Sequence, residues 1–413
     1  MLMLMVIPLR VHVLVFLSIW SLAVADVDVD EPNTSYLRHI LTTKSLDPKM
    51  LEIKSDGPNP GTNRRKFLSY TSSTWEFQWL ANVGKWEEEQ SICEILHLDM
   101  QSDYIHDFLT LTCSARYKAP HDNWCIIHDE FQPLWYNTAN RDTFELRWTP
   151  PFPEETMELQ GQLLPVVPGP EHEHIVSKFV FLDETTGEVY VEYIEPLVSH
   201  LRFPLAGCLA PVPDHFRYAF HDVTFRGWII PPPPTLRKDR ALYFDAGASD
   251  WASGRGGPSM QYFQRMWDRS NIQFDEMHAF EPFTNVDKFY ETVPPAFQEK
   301  VHYQQCFVSS RPEDDSTDSP FIPNLVKTKS NPNDYVLFKL DIDSPIVENG
   351  NIEFILNDPD VRIDEILWEH HIKGNYIMLK TWGPGSQDPL SLRDSYEYFL
   401  KMRLRGIRAH SWV

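Results

Sequence analysis

The stretch ALYFDAGAS, residues 241–249, decides the fold of this chain. An apolar run of strand character ends at Asp245 and passes into a turn of small residues that contains Gly247. The stretch YFQRMW, residues 262–267, follows with the spacing of an amphipathic helix. A strand, an acid-tipped turn and a helix in this order are typical of the entry to a nucleotide-binding crevice in a doubly wound sheet.

The remainder of the C-terminal half repeats this alternation of strand-like runs and helical stretches. The runs cover residues 241–246, 276–281, 301–308, 335–341, 363–369 and 407–413. Before the last run, Ser391 and Asp394 have the spacing of a capping box, and Gly406 suits the end of that helix. The pattern predicts an α/β domain over residues 235–413, with a Rossmann-like, doubly wound and mostly parallel sheet.

Before the prolines at 231–234, the sequence shows short strand-like segments separated by loops. This pattern predicts a β-rich, loop-rich N-terminal domain over residues 71–234. The clearest element is a hairpin of residues 179–183 and 188–194, whose turn contains Gly187. Residues 143–148 and 225–230 are further strand candidates. Residues 26–70 are polar and turn-rich, which indicates a stem or linker.

Within residues 1–25, an apolar segment of residues 11–25 follows Arg10 and ends in the small-x-small triplet Ala23-Val-Ala25. This pattern is typical of a signal peptide, or of an uncleaved signal anchor that would make the chain a type II membrane protein. Both alternatives predict the secretory pathway, either the ER and Golgi lumen or secretion. The sequon at Asn33 lies in the predicted stem, where an N-glycan is expected.

Charge and cysteine content narrow the function classes. The chain of 413 residues has a formal net charge of −22, and this argues against a nucleic-acid partner, which needs a basic face. An oxidising compartment permits disulfides among Cys93, Cys113, Cys125 and Cys208, whose pairing the sequence does not decide. Cys306 stands apart in an apolar run and is expected to be a buried free thiol.

Ligands of an open α/β sheet bind outside the carboxyl ends of the strands, so the residues after each run are the candidate site. These residues are Asp245 and Gly247 after the first run, Glu281 after the second, Asp341 and Asp343 after the fourth, and Glu369, His370 and His371 after the fifth. A carboxylate at the tip of a second strand commonly binds a ribose diol, since it accepts two hydrogen bonds.

These segments resemble the successive motifs of class I S-adenosylmethionine-dependent methyltransferases, and most closely the FkbM type. The matching residues are Asp245-Ala-Gly-Ala, Phe280-Glu-Pro, Lys339-Leu-Asp-Ile-Asp and Glu369-His. The resemblance covers residues 238–413, with Ser249 standing where another glycine is common. The usual closing antiparallel strand of that family would then be absent or supplied from elsewhere.

The resemblance implies a role for each matched residue. Asp245 and Gly247 would line the pocket for the methionine portion of S-adenosylmethionine, Glu281 would hold the ribose hydroxyls, and Asp341 would complete the cofactor site. His370 and Asp343 would be the rival catalytic bases for methyl transfer, with O-methylation expected. The acceptor would be a glycan, a protein or a small molecule.

Two other interpretations remain open. Asp341 and Asp343 form a DxD pattern, which in a secretory chain is typical of a metal-dependent Golgi glycosyltransferase, with His370 or His371 as a third ligand. The chain is alternatively a non-catalytic binding protein built on a degenerate methyltransferase fold.

Overall fold

The computed structural model describes residues 65–89, 167–198, 229–233, 239–251, 259–373 and 389–412, together with short elements between residues 53 and 159. The helices are α1 (Thr74–Glu89), α2 (Asp103–Thr112), α3 (Ser259–Asp268), α4 (Val286–Thr292), α5 (Ile322–Lys329), α6 (Pro345–Asn357) and α7 (Leu392–Leu404). The first nine strands are β1 (Ile53–Lys54), β2 (Arg65–Thr71), β3 (Tyr117–Lys118), β4 (Trp124–His128), β5 (Leu134–Asn137), β6 (Leu146–Arg147), β7 (Glu158–Leu159), β8 (Ser177–Asp183) and β9 (Val189–Ile194). The last six are β10 (Ala241–Ala246), β11 (Glu276–Phe280), β12 (Val301–Gln304), β13 (Tyr335–Leu340), β14 (Glu365–Trp368) and β15 (Arg408–Ser411).

The C-terminal region is an α/β fold around a six-stranded sheet of order β12-β11-β10-β13-β14-β15. Every pairing in this sheet is parallel. All residues of β10, β13, β14 and β15 are buried, as expected where helices cover both faces of a parallel sheet. The predicted α/β region with a parallel sheet is therefore confirmed, with each strand inside its predicted run, and the sheet is consistent with a Rossmann-like fold. The direction of the strand order reverses between β10 and β13, so the switch point lies at the carboxyl ends of these two central strands.

Alternate residues of the strands supply two hydrophobic clusters, one on each face. Leu242 and Phe244 of β10 belong to the cluster that includes residues of α5, α6 and α7. Ala241 and Tyr243 belong to the cluster that includes α3 and α4. Opposite faces of one strand therefore meet different helix layers, because side chains alternate along a strand.

The N-terminal part contributes an antiparallel sheet of order β1-β2-β8-β9, and its hairpin is the predicted one. Gly187 has φ +74° in the turn between β8 and β9, as the turn requires. Residues 65–70, assigned from the sequence to the stem, instead belong to β2. Arg65, the first residue of this strand, is buried against Glu192 and Asp364 at 2.6 and 3.0 Å.

Two helices, α1 and α2, lie where the sequence predicted only strands and loops. The long helix α1 buries Trp75, Trp79, Leu80 and Val83, whose spacing is helical. It packs against α7, and the carboxylate of Glu87 accepts hydrogen bonds from the first backbone amides of that helix. The residues of α1 belong to the same cluster as those of α7, so one core continues across the predicted domain boundary.

A buried chain of charges also joins the antiparallel sheet to the amino edge of the parallel sheet. Arg408 in β15 contacts Glu365 at 3.1 Å and Glu192 at 3.6 Å. His410 lies between Glu365 (2.6 Å) and Glu195 (2.5 Å). Removing one member would leave its partners charged and buried, so the network fastens the two sheets together.

Other predictions from the sequence fall partly outside the described residues. The segment 1–25, Asn33, the side chains of the first four cysteines and most of the strand candidate 225–230 lie there. The candidate 143–148 contains the short strand β6. Cys306 is a free thiol but only half-buried, because the chain turns away from the sheet after β12. Burial raises the pKa of this thiol to about 11.

Candidate functional site

The turn after β10 is fastened to the ends of both neighbouring strands. Gly247 has φ +85°, and a Cβ at this position would lie 1.6 Å from the carbonyl oxygen of Asp341. The backbone amides of Gly247 and Ala248 both donate to the carbonyl oxygen of Phe280, at 2.9 and 3.2 Å. Only glycine fits here, and the close approach that it allows is to the backbone following β13. Ser249 has φ +51°, the conformation for which glycine is favoured.

Lys339 holds the carboxyl ends of β10 and β13 together from inside the sheet. Its Nζ donates to the carbonyl oxygen of Gly247 at 2.6 Å and lies 3.4 Å from Asp245 and 3.1 Å from Asp341. Burial lowers the pKa of Lys339, but the two carboxylates outweigh burial and raise it. The ammonium is therefore charged at neutral pH and neutralises part of an acidic edge.

Asp245 lies fully buried beneath this turn. Its Oδ2 accepts hydrogen bonds from Tyr243 (2.5 Å) and from Ser259 at the first residue of α3 (2.8 Å). Its Oδ1 accepts no hydrogen bond from the residues that the structure describes. The carboxylate thus ties the turn to the helix that follows.

Asp341 occupies the next position along the edge and is half-buried. Its Oδ2 accepts a hydrogen bond from the indole nitrogen of Trp412 at 2.9 Å, and Lys339 lies on the same oxygen. Burial alone would raise the pKa of Asp341, but Lys339 and the hydrogen bonding with Glu369 lower it below its usual value. Asp341 is therefore a fixed negative charge next to the switch point.

Glu281 follows β11 directly and is half-buried. Its Oε1 accepts a hydrogen bond from the backbone amide of Phe283 at 2.9 Å, which fixes the carboxylate over the turn. Phe280 accepts hydrogen bonds from the backbone amides of Gly247 and Ala248 and thereby joins β11 to the glycine turn. Glu281 is the next residue in the sequence.

Two exposed aromatic rings lie beyond Glu281, at the carboxyl ends of β11 and β12. Phe283 is 83% exposed and Phe307 is 64% exposed, and their rings pack edge to face with centroids 5.8 Å apart. Large apolar side chains exposed side by side contribute little to the core, and this pair forms an apolar surface at the carboxyl edge of the sheet.

His371, and not its neighbour His370, joins the carboxylates after β13 and β14. His371 Nε2 lies 3.1 Å from Glu369 Oε2 and 3.5 Å from Asp343 Oδ1. His371 and Glu369 are buried, and Asp343 is exposed with φ +55°. These three side chains offer ligand atoms that lie within 4.8 Å of one another, an arrangement that fits a metal ion.

His370 makes different contacts from those that its predicted role as a base suggests. It is buried, its Nδ1 pairs with the hydroxyl of Ser395 on α7 at 2.8 Å, and its ring stacks on Trp368. Successive residues at the end of a strand point in opposite directions, which explains why only one of the two histidines reaches the carboxylates.

Glu348, in the first turn of α6, is a site residue that sequence reasoning missed. It is fully buried, and it accepts hydrogen bonds from the backbone amide of Ile342 (3.1 Å) and from the indole of Trp368 (3.1 Å). Burial raises its pKa to about 8. Trp412 was missed as well: it directly follows β15, but the run at 407–413 was assigned whole to a strand. Glu348 lies on a helix and not directly after a strand. The Lys339-Leu-Asp-Ile-Asp motif was the only signal for Lys339.

Comparison of the chain with protein-family models, with curated protein sequences and with solved structures finds no match. Across the described parts of the chain, no helix combines the length and the apolar character needed to cross a membrane. The site must therefore be interpreted from its own geometry.

Proposed function

We propose that the carboxyl edge of β10, β11 and β13 binds S-adenosylmethionine, and that the protein transfers the methyl group to an oxygen of an acceptor in the secretory pathway. The observation that carries this proposal is the junction of the three strands. The carbonyl oxygen of Phe280 accepts hydrogen bonds from the amides of Gly247 and Ala248, so Glu281 directly follows the residue that anchors the glycine turn. An acid and a glycine turn joined at a switch point suit a nucleoside ligand.

The residues present fit the parts of this cofactor. Glu281 would hold the ribose diol, since a carboxylate with one hydrogen bond from Phe283 has further acceptor sites. Gly247 would line the pocket for the methionine portion, and Asp245, buried beneath the turn with its Oδ1 3.4 Å from Lys339, would support that end of the pocket. Asp341 would complete the cofactor site beside them. The exposed ring pair of Phe283 and Phe307 would stack on the adenine.

The cofactor supplies an electrophilic methyl group on a sulfonium, and the protein supplies position and charge. Lys339 fixes the ends of β10 and β13 relative to each other, so the turn cannot drift from the acidic edge. Asp343 is the exposed carboxylate at that edge, and it is the group best placed to contact an acceptor hydroxyl. His370, bound to Ser395, would act on the acceptor only indirectly, by supporting α7.

A metal-dependent glycosyltransferase is the second candidate, and the cluster of Asp343, Glu369 and His371 favours it. If Asp341 and Asp343 acted as the DxD motif of such an enzyme, however, both would bind the metal. The Oδ2 of Asp341 is already engaged by Trp412 and Lys339. For this reason we prefer the methyltransferase; a non-catalytic binding protein on the same fold is the third candidate.

Thermal unfolding of the full chain with different ligands distinguishes these candidates. We expect S-adenosylhomocysteine to raise the midpoint temperature, because a ligand that binds only the folded state stabilises it. UDP with Mn²⁺ should have no comparable effect. Stabilisation by UDP with Mn²⁺ alone would contradict the proposal, and stabilisation by neither ligand would favour the non-catalytic class.

The variant Glu281→Ala tests the assigned ribose contact. It should lose the stabilisation by S-adenosylhomocysteine, because the diol would have no charged acceptor. Glu299→Ala removes an exposed glutamate on the loop before β12 and should keep it, which makes this variant the matched control. Unchanged affinity in Glu281→Ala would remove this residue from the cofactor site.

A further inference from the structure

The cluster of Asp343, Glu369 and His371 has the geometry of a metal site with one open side. In metal sites the ligand distances are about 2.0–2.2 Å, so two ligand atoms on one ion lie roughly 3–3.5 Å apart. The separations from His371 Nε2 to Glu369 Oε2 and to Asp343 Oδ1, 3.1 and 3.5 Å, match this range. A small movement of exposed Asp343 would bring the two carboxylates equally close.

The cluster is held by two neighbouring strands, so its members are preorganised. The backbone amide of Glu369 donates to the carbonyl oxygen of Leu340 at 3.0 Å, which sets the loop after β14 beside the loop after β13. His371 is fully buried, and Glu369 is 6% exposed. An imidazole buried between two carboxylates is a donor set with mixed nitrogen and oxygen ligands, and ions of the first transition series bind such sets.

The surroundings also favour a cation. Asp341 and Glu348 lie close enough to Glu369 to act on one another electrostatically. The ammonium nearest to this edge, Lys339, is already shared between Asp245 and Asp341. A divalent ion at the cluster would add positive charge beside the carboxylates of Asp343 and Glu369.

We propose that Asp343, Glu369 and His371 bind a divalent transition-metal ion, such as Mn²⁺ or Zn²⁺. Three protein ligands leave coordination positions on the side of exposed Asp343, where an oxygen of a substrate would bind. Asp343 would then contact the acceptor through the ion. This site goes beyond the proposed methyl transfer, because metal binding does not depend on S-adenosylmethionine.

Calorimetric titration of the metal-free full chain with MnCl₂ and with ZnCl₂, without cofactor or acceptor, tests the site. We expect one strong site per chain. His371→Gln and Asp343→Asn should each weaken binding by more than about 100-fold, since each removes a direct ligand. His370→Gln changes the adjacent histidine, which pairs with Ser395, and should leave the affinity unchanged.

Substitution with Co²⁺ supplies a second measurement, because its visible absorption reports on nitrogen ligation. The spectrum of the wild-type protein should change in His371→Gln and persist in His370→Gln. If His371→Gln fails to fold, the exposed position of Asp343 keeps Asp343→Asn usable. Absence of binding in the wild-type chain, or equal binding in Asp343→Asn, would overturn the assignment. Neither result would affect stabilisation by S-adenosylhomocysteine, so failure of the metal site is distinguishable from failure of the proposed function.

Discussion

Replacing Gly247 with alanine tests how tightly the ends of β10 and β13 are joined. The added Cβ would lie 1.6 Å from the carbonyl oxygen of Asp341, at φ +85°. Gly187 provides a matched control, because it has φ +74° in the β8–β9 turn and a Cβ there would meet nothing within 4 Å. The two variants share the backbone penalty and differ in the steric contact.

The expected magnitudes follow from these two environments. A left-handed conformation costs an alanine about 1–2 kcal/mol, and this is the whole effect expected for Gly187→Ala. In Gly247→Ala the two backbones must also separate, and overpacking of this kind costs about 1–3 kcal/mol. The separation weakens the hydrogen bonds from Lys339 to Gly247 and from Asp341 to Ala246, which adds about 1 kcal/mol. The total for Gly247→Ala is thus about 3–6 kcal/mol.

Urea denaturation of both variants, followed by tryptophan fluorescence and circular dichroism, measures these free energies of unfolding. We expect Gly247→Ala to be less stable than Gly187→Ala by about 2–4 kcal/mol. Equal destabilisation in the two variants would refute the claim that Gly247 lies against Asp341. The interpretation of the site as a closed junction of three strands would fail with it.

Two further predictions concern the buried charges at the amino edge of the sheet. Burial alone would lower the pKa of His410, but Glu195 and Glu365 raise it above 6.5, so its stabilising contribution is present below pH 6.5 and lost as the pH rises through the folded pKa. The pKa values of Glu195 and Glu365 are both lowered from 4.5 although burial opposes this, and His410 is a cause that the two share. Their stabilising contribution is therefore lost as the pH falls below 4.5. The midpoints of urea unfolding, measured across pH, should therefore be highest between pH 4.5 and 6.5. His410→Gln should flatten the decline of the midpoint at higher pH. A midpoint that rises steadily towards pH 8 in the wild-type chain would contradict the predicted direction. Arg408→Met should lower the free energy of unfolding in urea by about 3–5 kcal/mol, because it leaves buried carboxylates without their cation. The control Arg311→Met changes an exposed arginine and should alter the free energy of unfolding by less than about 0.5 kcal/mol. Similar small losses in both variants would refute the role of the network.

The parallel sheet was predictable because fully buried strands leave long apolar runs in the sequence. The run at 241–246 matches β10 residue for residue, and the other five contain shorter strands. The run at 301–308 shortens to Val301–Gln304 because the amide of Cys306 turns back to the carbonyl oxygen of Gln304. Helix α1 was missed because its bulky tryptophans also suit strands, and packing against α7 decides between the two.

The edge that holds the candidate site was also predictable, since acids after successive parallel strands must converge there. What each side chain does there was not. Asp245 proves to be buried against Ser259, and Gly247 lies against the backbone of Asp341. Which of His370 and His371 faces the carboxylates depends on how the backbone leaves β14, and adjacent identical residues give no signal of that. Glu348 reaches the site from a helix, through contacts that no local pattern reports.

Hydrogen exchange of the full chain with and without S-adenosylhomocysteine tests the central claim most directly, because it reports where a ligand binds. We expect slower exchange in residues 247–251, 281–285 and 341–343, the segments that follow β10, β11 and β13. The same segments should show no change in Glu281→Ala. Protection confined to other parts of the chain, or no protection at saturating ligand, would contradict a cofactor site at the carboxyl edge of the parallel sheet.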